Sequence, residues 1–255
     1  MNPKEISAQY LSKRLNNIIL FPQKEANKKN TLTDVNANRL AKFKNLHGGK
    51  RCFIVGGSPS LNNLDLAKLN GEHVFTVNRG YKLQQKGLKR SSYHLIGDMQ
   101  LVYEDGIVTE LSEEWADNYF FFGGIDLKSC FGNLVYFDYA IHTYDFFQTD
   151  ITLPLNFSCT VVFTAMEIAA YMGFSQIILI GVDLDFVTNS GHAYSESQGE
   201  KQRQSELSIP NASKMAHDIN FAASFLVSRG IDVKNASPVE SSLPFMTKTT
   251  YESLF

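Results

Sequence analysis

The sequence lacks a long hydrophobic run, contains little cysteine, and shows no marked excess of charge of either sign. Its 255 residues include three cysteines and one tryptophan, with 24 basic and 26 acidic side chains. No stretch approaches the ~18 consecutive apolar residues that a membrane-spanning helix needs. Charged residues interrupt any apolar pattern near the N-terminus, so we expect no secretory leader. A net charge of −2 gives no reason to expect a nucleic-acid partner.

The cysteines also limit the cellular compartment and the metal chemistry that we expect. Cys52, Cys130 and Cys159 are widely spaced and form no Cys-x-x-Cys pair. An odd number of cysteines cannot close completely into internal disulfides, which favours the reducing cytoplasm. We expect no zinc site.

Positive charge is concentrated at the start of the chain. Residues 1–50 contain ten lysines or arginines and three acidic residues. Apolar residues at helical spacing in 5–20 and 40–46 predict two N-terminal helices, so we expect a helical extension at 1–47 before a main domain at 48–255. The basic residues form a solvated helical face or contact anionic lipid head groups, which would place the protein peripherally at the inner membrane. The sequence leaves homo-oligomerisation open.

From residue 51 onwards, short apolar segments alternate with helical patterns. This alternation predicts an α/β fold, a Rossmann-like, mostly parallel sheet with helices on both faces. A polar, serine- and glutamine-rich stretch at 187–210 is predicted to form a loop or lid beside the site. The predicted strands are 51–56, 73–78, 93–97, 118–122, 176–181 and 231–235, and the predicted helices lie near 63–69, 99–104, 159–172 and 213–228.

The first predicted strand runs directly into a loop of glycine, serine and proline. Bare backbone N–H groups and hydroxyls at the carboxyl end of a strand suit the phosphates of a nucleotide. The loop lacks the spacing of a dinucleotide fingerprint and the lysine of a P-loop, so it indicates neither NAD nor a standard ATPase. A purely structural tight turn is the alternative. The loop residues are Gly56, Gly57, Ser58, Pro59 and Ser60.

Polar side chains follow three of the predicted strands. Asn78 and Asp98 end the second and third strands, and Asp183 comes two residues after Gly181 at the end of the apolar strand 176–181. Open α/β sheets assemble ligand sites outside the carboxyl ends of their strands. Each of these residue types alone is more often a turn residue or a helix cap. The prediction of a ligand site therefore rests on their repetition at the ends of three strands.

Two histidines are candidates for a general base. A histidine is the usual proton acceptor for an alcohol nucleophile. His192 lies in the polar loop and is our first candidate, and His217 in the following helix is the second. An exposed histidine without a catalytic role is the alternative for both. Asp183 and Asp185 form an Asp-x-Asp pair that could hold Mg²⁺ or Mn²⁺ through a diphosphate.

These motifs together resemble two families. The stretch 50–61 with its Gly-Gly-Ser-Pro-Ser loop, Asp65-Leu-Ala-Lys-Leu69 and Val77-Asn78 resembles the bacterial MptE-like proteins, which are named after an archaeal 6-hydroxymethylpterin diphosphokinase and are frequent in surface-polysaccharide loci. It is also similar to the bacterial lipooligosaccharide sialyltransferases. Both resemblances extend to Ser158-Cys-Thr160, to 173–183 and to 230–236, and together cover about residues 45–245.

The sialyltransferase resemblance implies a CMP-linked sugar donor and metal-independent, inverting transfer with a histidine base and no required cofactor. It implies that the Pro-Ser loop and Asn78 bind the nucleotide, and we add Asp98, Cys159, Thr160 and Gly181 to that predicted set. The chain has Gly57 and Asp98 where the sialyltransferases carry asparagines. Their catalytic histidine falls near 212–217, so His217 is the nearest candidate by that resemblance. His192 instead matches a histidine of the MptE-like proteins.

Three functions follow. The first is a cytoplasmic glycosyltransferase that uses a nucleotide-activated sugar and a glycan acceptor in cell-surface polysaccharide assembly. The second is diphosphoryl transfer from ATP, which needs Mg²⁺ and cationic stabilisation of the moving charge; Asp183 and Asp185 could hold the metal, but the loop has no lysine. The third is a non-catalytic nucleotide-fold scaffold of a glycan- or flagellar-modification complex that binds partners through its basic N-terminal helices.

Overall fold

The protein forms ten short strands within the described residues, and their order in space follows their order in the sequence only in part. The computed structural model describes residues 33–98, 101–102, 106–123, 133–142, 144–185, 191–239, 243–244 and 246–255. Its strands are β1 (Arg51–Val55), β2 (Val74–Val77), β3 (Ser91–Ile96), β4 (Ala116–Phe122), β5 (Leu134–Phe137), β6 (Tyr139–Ala140), β7 (Leu155–Asn156), β8 (Gln176–Ile180), β9 (Asp232–Asn235) and β10 (Thr247–Lys248).

Eight of these strands form one sheet in the order β10-β9-β8-β1-β2-β3-β4-β5, and β6 pairs with β7. Every pairing in the large sheet is parallel. From β1 the chain builds outward through β5, and it then returns to the other side of β1 to form β8, β9 and β10. The strand order therefore reverses at the β1–β8 pair, where Val55 lies opposite Ile180.

Helices surround this sheet, which confirms the Rossmann-like α/β prediction. Helix α3 packs on β1, β2 and β3, and α5 packs on α3 and β9. The helices are α1 (Asp34–Ala41), α2 (Ile107–Glu110), α3 (Val161–Tyr171), α4 (Gln198–Arg203) and α5 (Ala212–Ser228), with a π-helical turn at Gln204–Ser208 and 3-10 segments at Pro59–Asn63, Leu66–Leu69, Asn78–Lys86 and Tyr251–Leu254.

The core lies around the two central strands. Residues 52–55 of β1 and 177–180 of β8 are completely buried, as expected for parallel strands covered on both faces. Glu167 of α3 is also fully buried. Its Oε1 accepts hydrogen bonds from the N–H groups of Gln148 (2.8 Å) and Asn156 (3.2 Å). Burial raises the pKa of Glu167 well above its ordinary value, and the two N–H hydrogen bonds oppose that rise. These hydrogen bonds position the 148–156 segment on α3.

Two histidines that fall within predicted strands, His73 and His94, pack against other aromatic side chains. His94 on β3 is fully buried, and its Nδ1 accepts a hydrogen bond from Trp115 Nε1 (3.2 Å) and lies 2.8 Å from Thr76 Oγ1. Desolvation lowers the pKa of His94 to about 3, so its imidazole is neutral near pH 7. His73 precedes β2 and stacks on His47 at a ring distance of 4.1 Å.

Some predicted elements differ from the structure. Of the two predicted N-terminal helices, the first lies outside the described residues. The second was predicted from residues 40–46, but α1 spans Asp34–Ala41 and overlaps that region only at its last two residues. The helix predicted near 63–69 is a pair of 3-10 segments. The stretch predicted as a loop at 187–210 contains α4 and the π-helical turn, because Ser197 and Glu200 form a capping box that starts a helix.

Within the described part of the chain, no helix has both the length and the apolar character that crossing a membrane would require. The cysteines Cys52 and Cys159 are buried free thiols, and Cys130 lies outside the described residues. The boundary between a 1–47 extension and a 48–255 domain stays a prediction.

Candidate active site

A cleft of about 230 Å³ lies at the carboxyl ends of the central strands. It opens where the strand order reverses between β1 and β8, which is where open α/β sheets bind their ligands. Its walls come from the β1 loop, the ends of β2, β3 and β8, the start of α3, and α4. The predicted site residues that line it are Gly56, Gly57, Ser58, Asn78, Asp98, Cys159, Thr160, Gly181 and His192.

The glycine loop packs tightly against the end of β8. The N–H of Gly56 donates to the carbonyl of Ile180 (2.9 Å), and the N–H of Ser58 donates to that of Gly181 (3.0 Å). A Cβ on Gly56 would lie 2.2 Å from the Gly181 carbonyl oxygen. Two of the N–H groups expected to be bare are therefore used to hold the loop, and that expectation is wrong for Gly56 and Ser58.

Asp183 lies beneath this loop. It is buried, its Oδ1 accepts a hydrogen bond from Ser60 Oγ (2.8 Å), and its N–H donates to Ser58 Oγ (3.2 Å). Burial raises the pKa of Asp183, and the hydrogen bond from Ser60 opposes that rise. Asp183, Ser60, Pro59 and Asp185 are not among the described residues that line the cleft. In this arrangement Asp183 supports the loop.

Asn78 and Asp98 lie on the opposite wall. Asn78 directly follows β2 and adopts the left-handed backbone conformation, with φ of 50°, which asparagine tolerates better than most residues. Its Oδ1 is buried and has no hydrogen-bond partner within the described residues. A buried acceptor without a partner costs free energy, so a ligand donor at this position would gain affinity.

Helix α3 begins at the cleft. Thr160 is its N-cap, and Thr160 Oγ1 accepts a hydrogen bond from the N–H of Val162 (3.2 Å). Asp218 of α5 fixes the preceding turn by accepting hydrogen bonds from Ser158 Oγ (2.8 Å) and the N–H of Cys159 (3.2 Å). The N-terminal end of an 11-residue helix carries a partial positive charge, which favours a bound phosphate.

His192 lies directly over the glycine loop. The N–H of Ala193 donates to the Gly57 carbonyl (2.8 Å), and a Cβ on Gly57 would lie 2.8 Å from the His192 ring. His192 Nδ1 is 2.5 Å from Glu196 Oε1, and its ring stacks on Tyr194 with centroids 4.9 Å apart. A carboxylate at Nδ1 selects the tautomer whose Nε2 can accept a proton. The geometry therefore leaves His192 Nε2 on the side of the ring away from Glu196.

His217 lies elsewhere. Its Nε2 is 2.9 Å from Asp145 Oδ1 in an exposed pair on α5, and it is not among the described residues lining the cleft.

Sequence reasoning missed the charged residues that connect the end of β2 to α4 in space. Arg79 Nε lies 2.6 Å from Glu200 Oε1, with both side chains only 5% exposed. Arg79 also pairs with Glu110 (3.2 Å). Arg203 of α4 lines the cleft as a second cation. Glu196 is the other omission, and its spacing of four residues from His192 was the only available signal.

No group of three or more His, Cys, Asp or Glu side chains within the described ranges is arranged to hold a metal ion. Asp183 Oδ1 accepts a hydrogen bond from Ser60 Oγ, and neither carboxylate of the Asp-x-Asp pair is among the described residues that line the cleft.

Comparison with known proteins identifies related sequences and structures. The family model described as 6-hydroxymethylpterin diphosphokinase MptE-like matches residues 26–189. Among curated proteins, none matches this chain significantly.

Among solved structures, the MAf glycosyltransferase from Magnetospirillum magneticum AMB-1 superposes with a TM-score of 0.56 at 18% identity, over 87% of this chain and 39% of that chain. This chain therefore spans well under half of MAf, and the likeness establishes the fold alone. A variant of the sialyltransferase CST-II in complex with CMP gives a TM-score of 0.48 at 16% identity, over 77% of this chain and 85% of that chain.

Proposed function

This chain belongs to the MptE-like family, and within that family we propose that it is a glycosyltransferase that moves a sugar from a nucleotide donor to a hydroxyl of a glycan. The observation that carries the proposal is the His192–Glu196 pair directly above the glycine loop. A base oriented by a carboxylate can take the proton of an acceptor hydroxyl, and the glycine loop beneath it would hold the donor phosphate. MAf, a glycosyltransferase, has a similar fold.

The donor nucleotide would lie along the β1 loop and β2. Asn78 Oδ1 would accept a hydrogen bond from the base or ribose, and the start of α3 would face the phosphate together with Arg203. We propose CMP as the nucleotide, on the likeness of the Pro-Ser loop to that of the lipooligosaccharide sialyltransferases. Asp98, on the same wall, would bind a sugar or ribose hydroxyl.

In the transfer step, His192 Nε2 takes the proton of the acceptor hydroxyl while Glu196 holds Nδ1–H. The acceptor oxygen forms a bond to the anomeric carbon, and the bond from that carbon to the phosphate oxygen breaks. The nucleotide leaves with the bonding electron pair as a phosphate anion. Direct displacement of this kind inverts the anomeric configuration. All bonds and charges of the step are accounted for without a metal ion. Both features are part of the proposal.

Diphosphoryl transfer from ATP is the second candidate, because the matching family model carries the name of a diphosphokinase. That reaction would need Mg²⁺ to neutralise phosphate charge, and the two cleft arginines would take the place of a P-loop lysine. Asp183 and Asp185 would be the residues to hold the metal ion, although neither is among the described residues that line the cleft. The polysaccharide pathway, the cytoplasmic location and contact with the inner membrane stay predictions.

A nucleotide panel separates the two candidates. We expect CMP, and CDP more weakly, to raise the melting temperature of the full chain without Mg²⁺, while UDP, GDP and ATP have little effect. A ligand at a hundredfold excess over its Kd stabilises the folded state by about 2.7 kcal/mol, which a thermal-shift assay detects. Stabilisation by ATP only when Mg²⁺ is present would favour the diphosphokinase and refute the transferase proposal.

A further inference from the structure

A second cavity of about 60 Å³ adjoins the cleft. It lies between the segment after β6, the end of β7 and the outer face of α5. Cys159 lines both this second cavity and the cleft. The two spaces are therefore neighbours across one side chain.

The rings of His142 and Tyr144 line the second cavity, and Phe146 lies beside them. His142 contacts Phe146 and Tyr144 at centroid distances of 4.1 and 5.4 Å. Tyr144 is 66% exposed, although tyrosine usually keeps its ring at least half-buried in a folded protein. An exposed ring held by neighbouring rings presents a flat apolar face at little cost in side-chain entropy.

The second cavity is lined by both hydrogen-bond donors and acceptors. Lys214 pairs with Asp218, and His217 holds Asp145 at its rim. Asn156 adds an amide. An aromatic face beside a few convergent ionic and amide groups suits a sugar ring, whose C–H face packs on the ring while its hydroxyls reach the polar groups.

On these grounds we propose that the second cavity binds a sugar residue of the glycan acceptor. The ring packs on Tyr144, and one edge with its hydroxyls enters the cavity toward Lys214 and Asp218. The cavity volume accommodates only part of a hexose, which is why the exposed aromatic face is needed. The inference rests on the proposed glycosyltransferase function, because that reaction needs an acceptor close to the donor.

A direct structural link joins the second cavity to the cleft. Asp218, which lines the second cavity, accepts the hydrogen bonds that hold Ser158 and Cys159 at the start of α3. The acceptor subsite and the phosphate-facing end of α3 thus share one carboxylate. His217, the second candidate base, lies next to the second cavity, because its partner Asp145 lines that cavity.

The test measures binding of simple glycosides to the full chain by saturation-transfer NMR. The probes are the methyl glycosides of galactose, glucose and N-acetylglucosamine, each titrated to about 50 mM, a range that covers the millimolar Kd values typical of fragments of this size. Tyr144→Ala and Lys214→Ala remove the proposed contacts, Tyr144→Phe keeps the ring, and Lys89→Ala changes an exposed lysine elsewhere. CMP affinity is measured for every variant.

We expect at least one glycoside to bind, with Kd raised tenfold or more by Tyr144→Ala and by Lys214→Ala, and changed less than twofold by Tyr144→Phe and Lys89→Ala. CMP affinity should be unchanged in both Tyr144 variants and in Lys89→Ala. Absence of glycoside binding, or equal binding by wild type and Tyr144→Ala, overturns the acceptor subsite even if CMP binds. Glycoside binding without any nucleotide binding would keep the subsite and refute the proposed transferase.

Discussion

Replacing His192 with alanine should slow sugar transfer by roughly 10²–10⁴-fold, the usual contribution of a general base. The imidazole is the group that accepts the acceptor proton, and alanine leaves only water for that role. Nucleotide affinity should change less than about threefold, because the proposed nucleotide contacts lie on Asn78, Asp98 and α3. Steady-state rates and CMP titrations measure the two quantities separately.

The matched control is His217→Ala, which removes a histidine paired with Asp145 outside the cleft. It should retain the wild-type rate at saturating acceptor. Glu196→Gln keeps the shape of the pair but weakens the hold on Nδ1, so it should lower the turnover less than His192→Ala does. If His192→Ala retains its full rate and His217→Ala does not, the assignment of the base is wrong.

A methyl group on Gly56 should both destabilise the fold and abolish nucleotide binding. The added Cβ would lie 2.2 Å from the Gly181 carbonyl oxygen. Because that oxygen belongs to the backbone directly after β8, it cannot give way as a flexible side chain would, and the loop must move away from β8. Overpacking of this kind costs about 3 kcal/mol of unfolding free energy. Urea denaturation followed by CMP titration of the folded fraction checks both effects.

Gly48 provides the matched control. A Cβ there would have the Asn45 carbonyl oxygen at 3.8 Å as its nearest neighbour, and its φ is not in the left-handed range. Gly48→Ala should therefore change the unfolding free energy by less than about 0.5 kcal/mol. Equal stability of Gly56→Ala and Gly48→Ala would show that the loop does not depend on close contact with β8.

Much of the sheet could be predicted because its strands are continuous apolar runs. The segments 51–56 and 176–181 are too apolar for solvent-facing elements, and the structure places them side by side at the centre. Residues at strand ends were then expected at one edge, and most of those named line the cleft. The short strands β5, β6, β7 and β10 carried no comparable signal.

The directions of side chains after a strand could not be predicted. Asp183 follows Gly181, whose φ of 61° turns the chain, and Leu184 also has a left-handed φ of 54°. These two turns direct Asp183 to Ser60 beneath the loop. Sequence spacing alone suggested an extended Asp-x-Asp pair, which assumes neither turn.

Long-range ion pairs also lie beyond sequence reasoning. Arg79 and Glu200 are 121 residues apart in the chain, yet their side chains are buried together at 2.6 Å. A buried pair of this kind is costly to break, because either partner alone would be an uncompensated charge. The Ser197-x-x-Glu200 pattern does predict a helix start. The prediction of a loop at 187–210 was based on polar composition and did not use this pattern.

The most direct test of the account is a calorimetric titration of CMP into the wild type, Asn78→Gly and Asn45→Gly. Asn78 and Asn45 share the left-handed conformation, with φ of 50° and 55°, so glycine keeps the backbone and removes only the amide. Asn45 is exposed and does not line the cleft. We predict that Asn78→Gly binds CMP about tenfold more weakly, as loss of one buried hydrogen bond implies, and that Asn45→Gly binds as wild type does. Equal affinity in all three proteins, or no CMP binding by the wild type, would contradict a CMP site at this cleft.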